Sequence, residues 1–453
     1  MRIVIGGRDE AARRLGAELA RRHEVVFVVS QEGGQGLDHV DALVVEGDMD
    51  VAETLERAGV PRSHAFIACS RYDERNIVAC VMAKRMGAQQ TICFLFQRGR
   101  LARADDPRVA ESIGIDLVVR PATQLAHEIV RITTVPGALD VQLFAGGRVR
   151  LLQHGVEEGA PIARGAIRDL RLPPGVVLVM GRRGASMFIP KGDTCFRAGD
   201  RVTAMGDSRG LDRLTTHYLR SEERGRDSRS ATIVGGGAVG IAVAHGLTAA
   251  RWTVRVIELD RQRAERIAPL VEGFVIHGDG SDLELLEQEH VRDDSVLVAV
   301  TSNDEKNLLV SLLAKSLGIP RIVTRADSPS NERLFAHVGI DVVRSARGAA
   351  IDSVLRTLDA GRREMLAELE HGDAEVLDLV VPPGVQPVAL AEIHQPVFAI
   401  VGAILRGGDV IIPTGKDRLT PGDHILVFCR SEEEREVRRF FLEGLPKAGG
   451  ATG

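Results

Sequence analysis

The sequence predicts a duplicated α/β fold: two doubly wound parallel-sheet units, each followed by a small α+β lobe. Three observations predict it. Short β-rich runs alternate with helical stretches, as parallel strands require, since each pair needs a crossover. Landmarks of the first half recur in order in the second. A glycine-rich turn in the second half follows a predicted strand and opens a predicted helix.

The alternation is clearest in the second half, where strands are expected at 231–234, 253–258, 273–276, 295–300, 320–324 and 340–343. Between the first two, Val239, Ala242, Val243, Gly246 and Leu247 recur at helical spacing and form one small-residue face. The duplication is read from matched segments. Ile3-Val4-Ile5-Gly6-Gly7 matches Thr232-Ile233-Val234-Gly235-Gly236, and Val45-Glu46-Gly47-Asp48 matches Ile276-His277-Gly278-Asp279. Ser70 to Asn76 matches Thr301 to Asn307, and Gly114 to Arg120 matches Gly339 to Ser345.

A second unit follows each of these. Arg183-Gly184, Met187 to Asp193 and Ala198 to Val202 match Arg406-Gly407, Val410 to Lys416 and Pro421 to Ile425. Pro-Gly and Gly-Asp turns between short strands mark these as α+β lobes. The expected order is 1–135, 138–218, a charged linker at 219–230, 231–360 and 373–445, with a small, polar tail from Pro446 to Gly453.

The 453 residues are 44% hydrophobic and carry a formal net charge of −5, which argues against a general nucleic-acid binder. Aromatics make up only 4%, too few for base-stacking platforms. Five cysteines form no CxxC pair, so a reducing, cytoplasmic compartment is expected. Met1 leads straight into a strand-like run, so no signal peptide is expected. The uncharged run Ala231 to Ala250 is broken by glycines and holds His245, which disfavours a membrane span. Direct membrane insertion is therefore not expected.

Gly235-Gly236-Gly237-Ala238-Val239-Gly240 fits the G-x-G-x-x-G pattern. Gly235 would permit the tight turn, Gly237 would let backbone approach a pyrophosphate, and Gly240 would let the helix pack on the strand. The helix N-terminus would present unpaired N–H groups to phosphate. Glu258 ends the next strand, near the spacing of roughly 20 residues expected of an acid that accepts from ribose hydroxyls. Such a carboxylate would repel a 2′-phosphate, favouring NAD(H) or an adenosine nucleotide such as ATP or ADP over NADP.

Other candidates follow the later strands. Asp279 could accept from an adenine amino group or serve a turn or helix cap. Thr301, Ser302 and Asn303 could donate to ribose or phosphate, or cap the helix beginning near Asp304. Arg325 could pair a phosphate or join an inter-subunit salt bridge.

The first half departs from this pattern. With Gly6 set against Gly235, Arg8 replaces the phosphate-approach glycine and Ala11 the helix-packing glycine, while Glu10 adds a carboxylate nearby. Val29 stands at the place of Glu258, and Phe94 or Leu95 at that of Arg325. The first half is expected to keep the fold and bind a dinucleotide poorly or not at all. The thirteen histidines show no HxH or HExxH spacing, and no GxSxG or P-loop lysine occurs. A nucleotide site without a catalytic constellation points away from an enzyme.

Taken together, the duplicated plan, the 233–240 glycine turn, His277-Gly278-Asp279, Val300 to Asn307 and Ile412-Pro413 with Pro421-Gly422-Asp423 resemble one family. It is the TrkA-type regulatory subunit of bacterial Trk/Ktr potassium transporters, built of two RCK (KTN) units. The resemblance implies Rossmann-like RCK N-terminal lobes, each followed by an RCK C-terminal lobe. It implies a cytoplasmic protein, peripheral on the inner face of the cell membrane, that forms a ring tetramer under a membrane potassium transporter subunit. Nucleotide binding would change the ring and gate the pore. By position, Gly235, Gly237, Gly240, Glu258, Asp279, Thr301 and Arg325 would be the nucleotide residues. Family members commonly keep the glycine fingerprint in both halves, and this chain departs from it in the first. The alternatives are an NAD-dependent oxidoreductase and a scaffold with vestigial sites.

Overall fold

A computed structural model describes residues 1–21, 23–30, 37, 40–96, 107–220, 229–359, 365–369, 373–393 and 395–446. Most of the expected linker, 221–228, and the tail from 447 lie outside the described residues.

The chain forms two compact units, and like lobes gather with like. One unit is Met1–Val130 with Arg229–Leu358, and the other is Arg131–Ser228 with Asp359–Gly453.

In the first unit, the N-terminal lobe has strands β1 (Arg2–Gly6), β2 (Glu24–Val29), β3 (Leu43–Glu46), β4 (Ala65–Ala68), β5 (Gln90–Phe94) and β6 (Leu117–Val119). Its helices are α1 (Glu10–Ala20), α2 (Ala52–Arg57), α3 (Asp73–Met86), α4 (Pro107–Ser112) and α5 (Pro121–Thr133). The parallel sheet runs β3-β2-β1-β4-β5-β6, the order of a doubly wound fold. Its central strands are apolar on both faces because helices cover both, whereas the edge strand β3 leaves Leu43 and Val44 exposed. Ile3, Ile5 and Phe27 feed one core, while Val4, Val28 and Phe66 feed the other.

The second unit carries a lobe after each parallel sheet. The first holds β7 (Ala138–Phe144), β8 (Val149–Gly155), β9 (Val176–Arg183), β10 (Ser186–Phe188), β11 (Arg201–Gly206) and α6 (Ser208–Leu214). Its antiparallel sheet is ordered β10-β9-β11-β8-β7.

The first unit's other lobe repeats the plan with β12 (Ser230–Val234), β13 (Thr253–Glu258), β14 (Phe274–His277), β15 (Val296–Ala299), β16 (Ile322–Arg325) and β17 (Val342–Arg344). Its helices are α7 (Ala238–Ala249), α8 (Arg261–Ile267), α9 (Leu283–Gln288), α10 (Asp304–Ser316), α11 (Pro329–His337) and α12 (Ala346–Asp359). The order is again doubly wound, β14-β13-β12-β15-β16-β17. These strands agree with the sequence expectation within two residues at each end.

The last lobe has β18 (Met365–Leu369), β19 (Ala374–Val380), β20 (Val388–Ala389), β21 (Ala399–Arg406), β22 (Asp409–Ile411), β23 (Arg418–Leu419), β24 (His424–Arg430) and α13 (Glu434–Glu443). Its main sheet runs β18-β19-β24-β21-β22, so it starts ahead of residue 373. The two lobes of this unit share a core in which Phe144, Val149, Leu151 and Met205 meet Val376, Ala403, Leu426 and Phe428. A side chain at Gly402 would meet Met205 Sδ at 2.5 Å, so the sheets approach closely there.

Helices are exchanged between the two parallel-sheet lobes of the first unit. Ala350, Ile351, Val354 and Leu358 of α12 complete the core over β1, β2 and β4 of the other lobe. Reciprocally, Val130 of α5 lies against α7, where a Cβ on Gly246 would stand 2.6 Å from Val130 Cγ2. The starts of α5 and α12 are thereby carried toward the glycine turn. Among the described residues, no helix is long and apolar enough to cross a membrane.

Candidate nucleotide-binding site

A cleft of about 560 Å³ opens at the carboxyl ends of β12, β13 and β15, the topological switch point of this sheet order. Its volume is within the usual range for small-molecule sites, roughly 300–1,000 Å³.

The glycines divide by task. Gly235 has φ +111°, a conformation that L side chains rarely adopt, and its N–H donates to Ile257 O at 2.9 Å. A Cβ on Gly240 would stand 1.9 Å from Gly235 O, so α7 lies directly on the turn. A Cβ on Gly237 would meet nothing within 4 Å. Gly237 is the N-cap of α7 and provides no side-chain cap, whereas Asp260, Asp282 and Asn303 cap α8, α9 and α10. The α7 N-terminus thus faces an open cleft as a positive dipole end.

Glu258 ends β13 and is only 4% exposed. Its Oε2 accepts from Gly236 N–H at 2.7 Å and its Oε1 from Asp260 N–H at 2.9 Å. A Cβ on Gly236 would lie 3.0 Å from Glu258 Oε2, so this glycine makes room for the acid. Oε1 also faces Arg263 Nη1 at 3.5 Å, while Oε2 keeps a further lone pair for a ligand hydroxyl.

Asp279 Oδ1 accepts from the Ser281 amide and hydroxyl, and Oδ2 from Lys306 Nζ at 2.9 Å. Burial alone would raise its pKa, but the Ser281 donors and the Lys306 ammonium outweigh it and hold it down to about 2. Thr301 Oγ1 donates to Asn307 Oδ1 at 2.7 Å, and Asn303 Oδ1 accepts from Lys306 N–H at 2.7 Å. Both residues therefore serve the turn into α10. Arg325 forms a two-point pair with Asp327, at 2.9 and 2.6 Å.

Of the candidates, Gly235, Gly237, Ala238, Val239, Glu258, Asp279, Thr301, Ser302, Asn303 and Arg325 line the cleft. Gly236 and Gly240 lie behind the lining. The sequence reading missed Arg263, Lys306 and Arg347, and it missed Phe96, Pro121 and Ala122 from the other lobe. Lys306 had a signal, because the matched segments keep an acid and a cation in both halves, Asp48 with Arg75 and Asp279 with Lys306, and the structure pairs them at 2.8 and 2.9 Å. The first-lobe residues had no local signal, since only the helix exchange brings them here.

The strand pairing corrects the alignment of the two glycine turns by one residue. Gly6 pairs with Val28 as Val234 pairs with Ile257. Gly7, with φ +135°, donates to Val28 O, so Gly7 and not Gly6 stands at the place of Gly235. Asp9 takes the N-cap position of α1, without a side-chain cap bond, as Gly237 takes that of α7, and Glu10 begins the helix where Ala238 does. Arg8 then stands at Gly236 and Ala12 at Gly240. Matching glycine to glycine misled because α1 is one residue shorter than α7. The other substitutions stand. Gly47 N–H donates to Val29 O as Gly278 N–H donates to Glu258 O. Asn76 donates to Phe94 O as Asn307 donates to Arg325 O, which selects Phe94 over Leu95.

Comparison with known proteins agrees with the duplicated fold. The TrkA-N domain matches residues 3–121 and 231–346, and the TrkA-C domain matches 151–217 and 388–442. A Trk system potassium uptake protein TrkA homolog of Archaeoglobus fulgidus is 33% identical over 97% of this chain and 100% of its own length. A TrkA homolog of Methanosarcina mazei is 30% identical with the same coverage. In structure, a GsuK channel bound to NAD superposes with TM-score 0.61 at 21% identity, over 97% of this chain and 78% of that one. Two TrkA-N and two TrkA-C domains in alternation, matched end to end by full-length relatives, show that the chain belongs to the TrkA family of Trk-system potassium uptake proteins.

Proposed function

We propose that this chain is a regulatory subunit of a potassium-uptake transporter that binds NAD(H) or an adenine nucleotide in its second half. The observation that carries the reading is the uncapped α7 N-terminus, with open space at Gly237 and the buried Glu258 carboxylate beside it. Each of the four cations lining the cleft already faces an acid: Arg263 with Glu258, Lys306 with Asp279, Arg325 with Asp327 and Arg347 with Glu10. Phosphate would therefore be received mainly by the N–H groups of the turn and α7. Glu258 would accept from ribose, and Asp279, Thr301 and Arg325 would border the ligand. Gly236 and Gly240 would keep the loop in shape.

The chain would act as a ring tetramer on the inner face of the membrane, against a Trk/Ktr-type pore subunit. A ligand shifts a gate only by binding two ring states with different affinity. Calorimetry of the full chain with NADH, NAD, ATP and ADP tests the binding, and co-purification with the pore subunit tests the partnership. Absence of binding by all four ligands would sink the ligand-gating reading. The oxidoreductase reading gains no support, since the acids lining the cleft are held in the ion pairs above.

A further inference from the structure

We infer that the first half completes the second half's cleft and tunes it for a dinucleotide over a nucleoside triphosphate. The inference rests on the nucleotide-binding reading above. The glycine turn, Glu258 and Asp279 lie on the β12–β14 side of the cleft. Its other side, past β15 and β16, is bordered by Arg325, Asp327 and Arg347, and by Phe96, Pro121 and Ala122 of the first lobe.

That side is charge-balanced and partly apolar. Arg325 is paired to Asp327. Arg347 Nη1 donates to Glu10 Oε2 at 2.9 Å and to Asp327 O at 3.2 Å. Glu10 is the first residue of α1, directly after the first lobe's altered turn, so a residue of one lobe neutralises a cation in the other lobe's cleft. Phe96 is held through its backbone, whose N–H donates to Asp73 Oδ1 at 2.8 Å, yet it is 41% exposed. An exposed aromatic beside an apolar Pro–Ala step offers a face to a flat ring. A third phosphate would instead bring negative charge to cations that are already paired. The dihydronicotinamide ring is uncharged and nearly flat, and it suits this end.

Calorimetry of the full chain with NADH, ADP and ATP tests the inference. NADH is expected to bind about tenfold tighter than ADP, and ATP no tighter than ADP. Phe96→Ala should remove the NADH advantage while leaving ADP binding within about twofold, so ADP also reports that the variant is folded. Glu10→Gln, which frees Arg347, should raise ATP affinity relative to ADP. Wild-type ATP binding tighter than ADP, or equal losses of ADP and NADH in Phe96→Ala with ADP binding retained in Phe96→Trp, would overturn the inference. If ADP binds and NADH binds no tighter, the inference fails and the nucleotide reading stands. If none of the three binds, both fail.

Discussion

Glu258 Oε2 accepts the Gly236 N–H at 2.7 Å, so the acid at the end of β13 and the glycine turn after β12 form one hydrogen-bonded unit. Removing the acid should therefore disturb ligand and loop together. Glu258→Ala is expected to weaken NADH and ADP alike by about tenfold or more, the loss of a charge-assisted hydrogen bond. Calorimetry checks this, and unchanged affinity for both ligands would contradict the assigned role.

Gly237 and Gly240 should separate binding from stability. Gly237→Asp copies the first lobe's Asp9, which makes no side-chain cap bond there, into open space at the positive end of α7, where a carboxylate is electrostatically tolerated. The variant should be at least as stable as wild type yet lose nucleotide binding, because a carboxylate would sit at the phosphate-facing helix end. Gly240→Ala places a methyl group 1.9 Å from Gly235 O and should cost about 1–3 kcal/mol by overpacking. Denaturant unfolding alongside calorimetry distinguishes the two.

The first half should contribute no nucleotide of its own. Asp9 at the helix N-cap, Val29 for the acid and Phe94 for Arg325 remove the same features that the second half keeps. Stoichiometry by calorimetry should be one nucleotide per chain. A value of two would overturn this expectation.

The Asp279–Lys306 pair should give an acid-sensitive contribution to stability. The folded carboxyl is depressed to about 2, below its ordinary value of roughly 3.9, so folding is favoured while it is ionised. The contribution is present above the ordinary value and is lost as pH falls through about 2. Asp279→Asn should flatten the unfolding midpoint between about pH 4 and pH 2 relative to wild type. An unchanged acid limb would show that the pair does not contribute.

The smaller lobes repeat one device. Arg183 clasps Asp200 at 2.9 and 2.7 Å, and Arg406 clasps Asp423 at 2.7 and 2.7 Å. Both acids are buried, and burial would raise their pKa values, but the arginines and local backbone donors outweigh it and lower them. Arg406→Ala leaves Asp423 buried without its main partner and should cost about 1–3 kcal/mol. Chemical denaturation measures the loss, and Arg406→Lys should recover only part of it, because lysine cannot form the two-point clasp.

The sequence by itself determined the duplicated doubly wound fold and most of the cleft's glycine and acid positions. These depend on local chemistry: apolar runs, turns that only glycine permits, and an acid at a strand end. The repeated segments set Asp48 against Asp279 and Arg75 against Lys306, and only the structure showed that each acid pairs with its cation. Only the tertiary structure decided that Gly7, not Gly6, matches Gly235, because register is fixed by pairing with Val28 and Ile257 rather than by residue likeness. It alone brought Phe96, Pro121, Ala122 and the Glu10–Arg347 pair to the cleft. Glu10 and Arg347 are distant in sequence, and they meet because exchanged helices bury their apolar faces on the neighbouring lobe, a packing that no local pattern records.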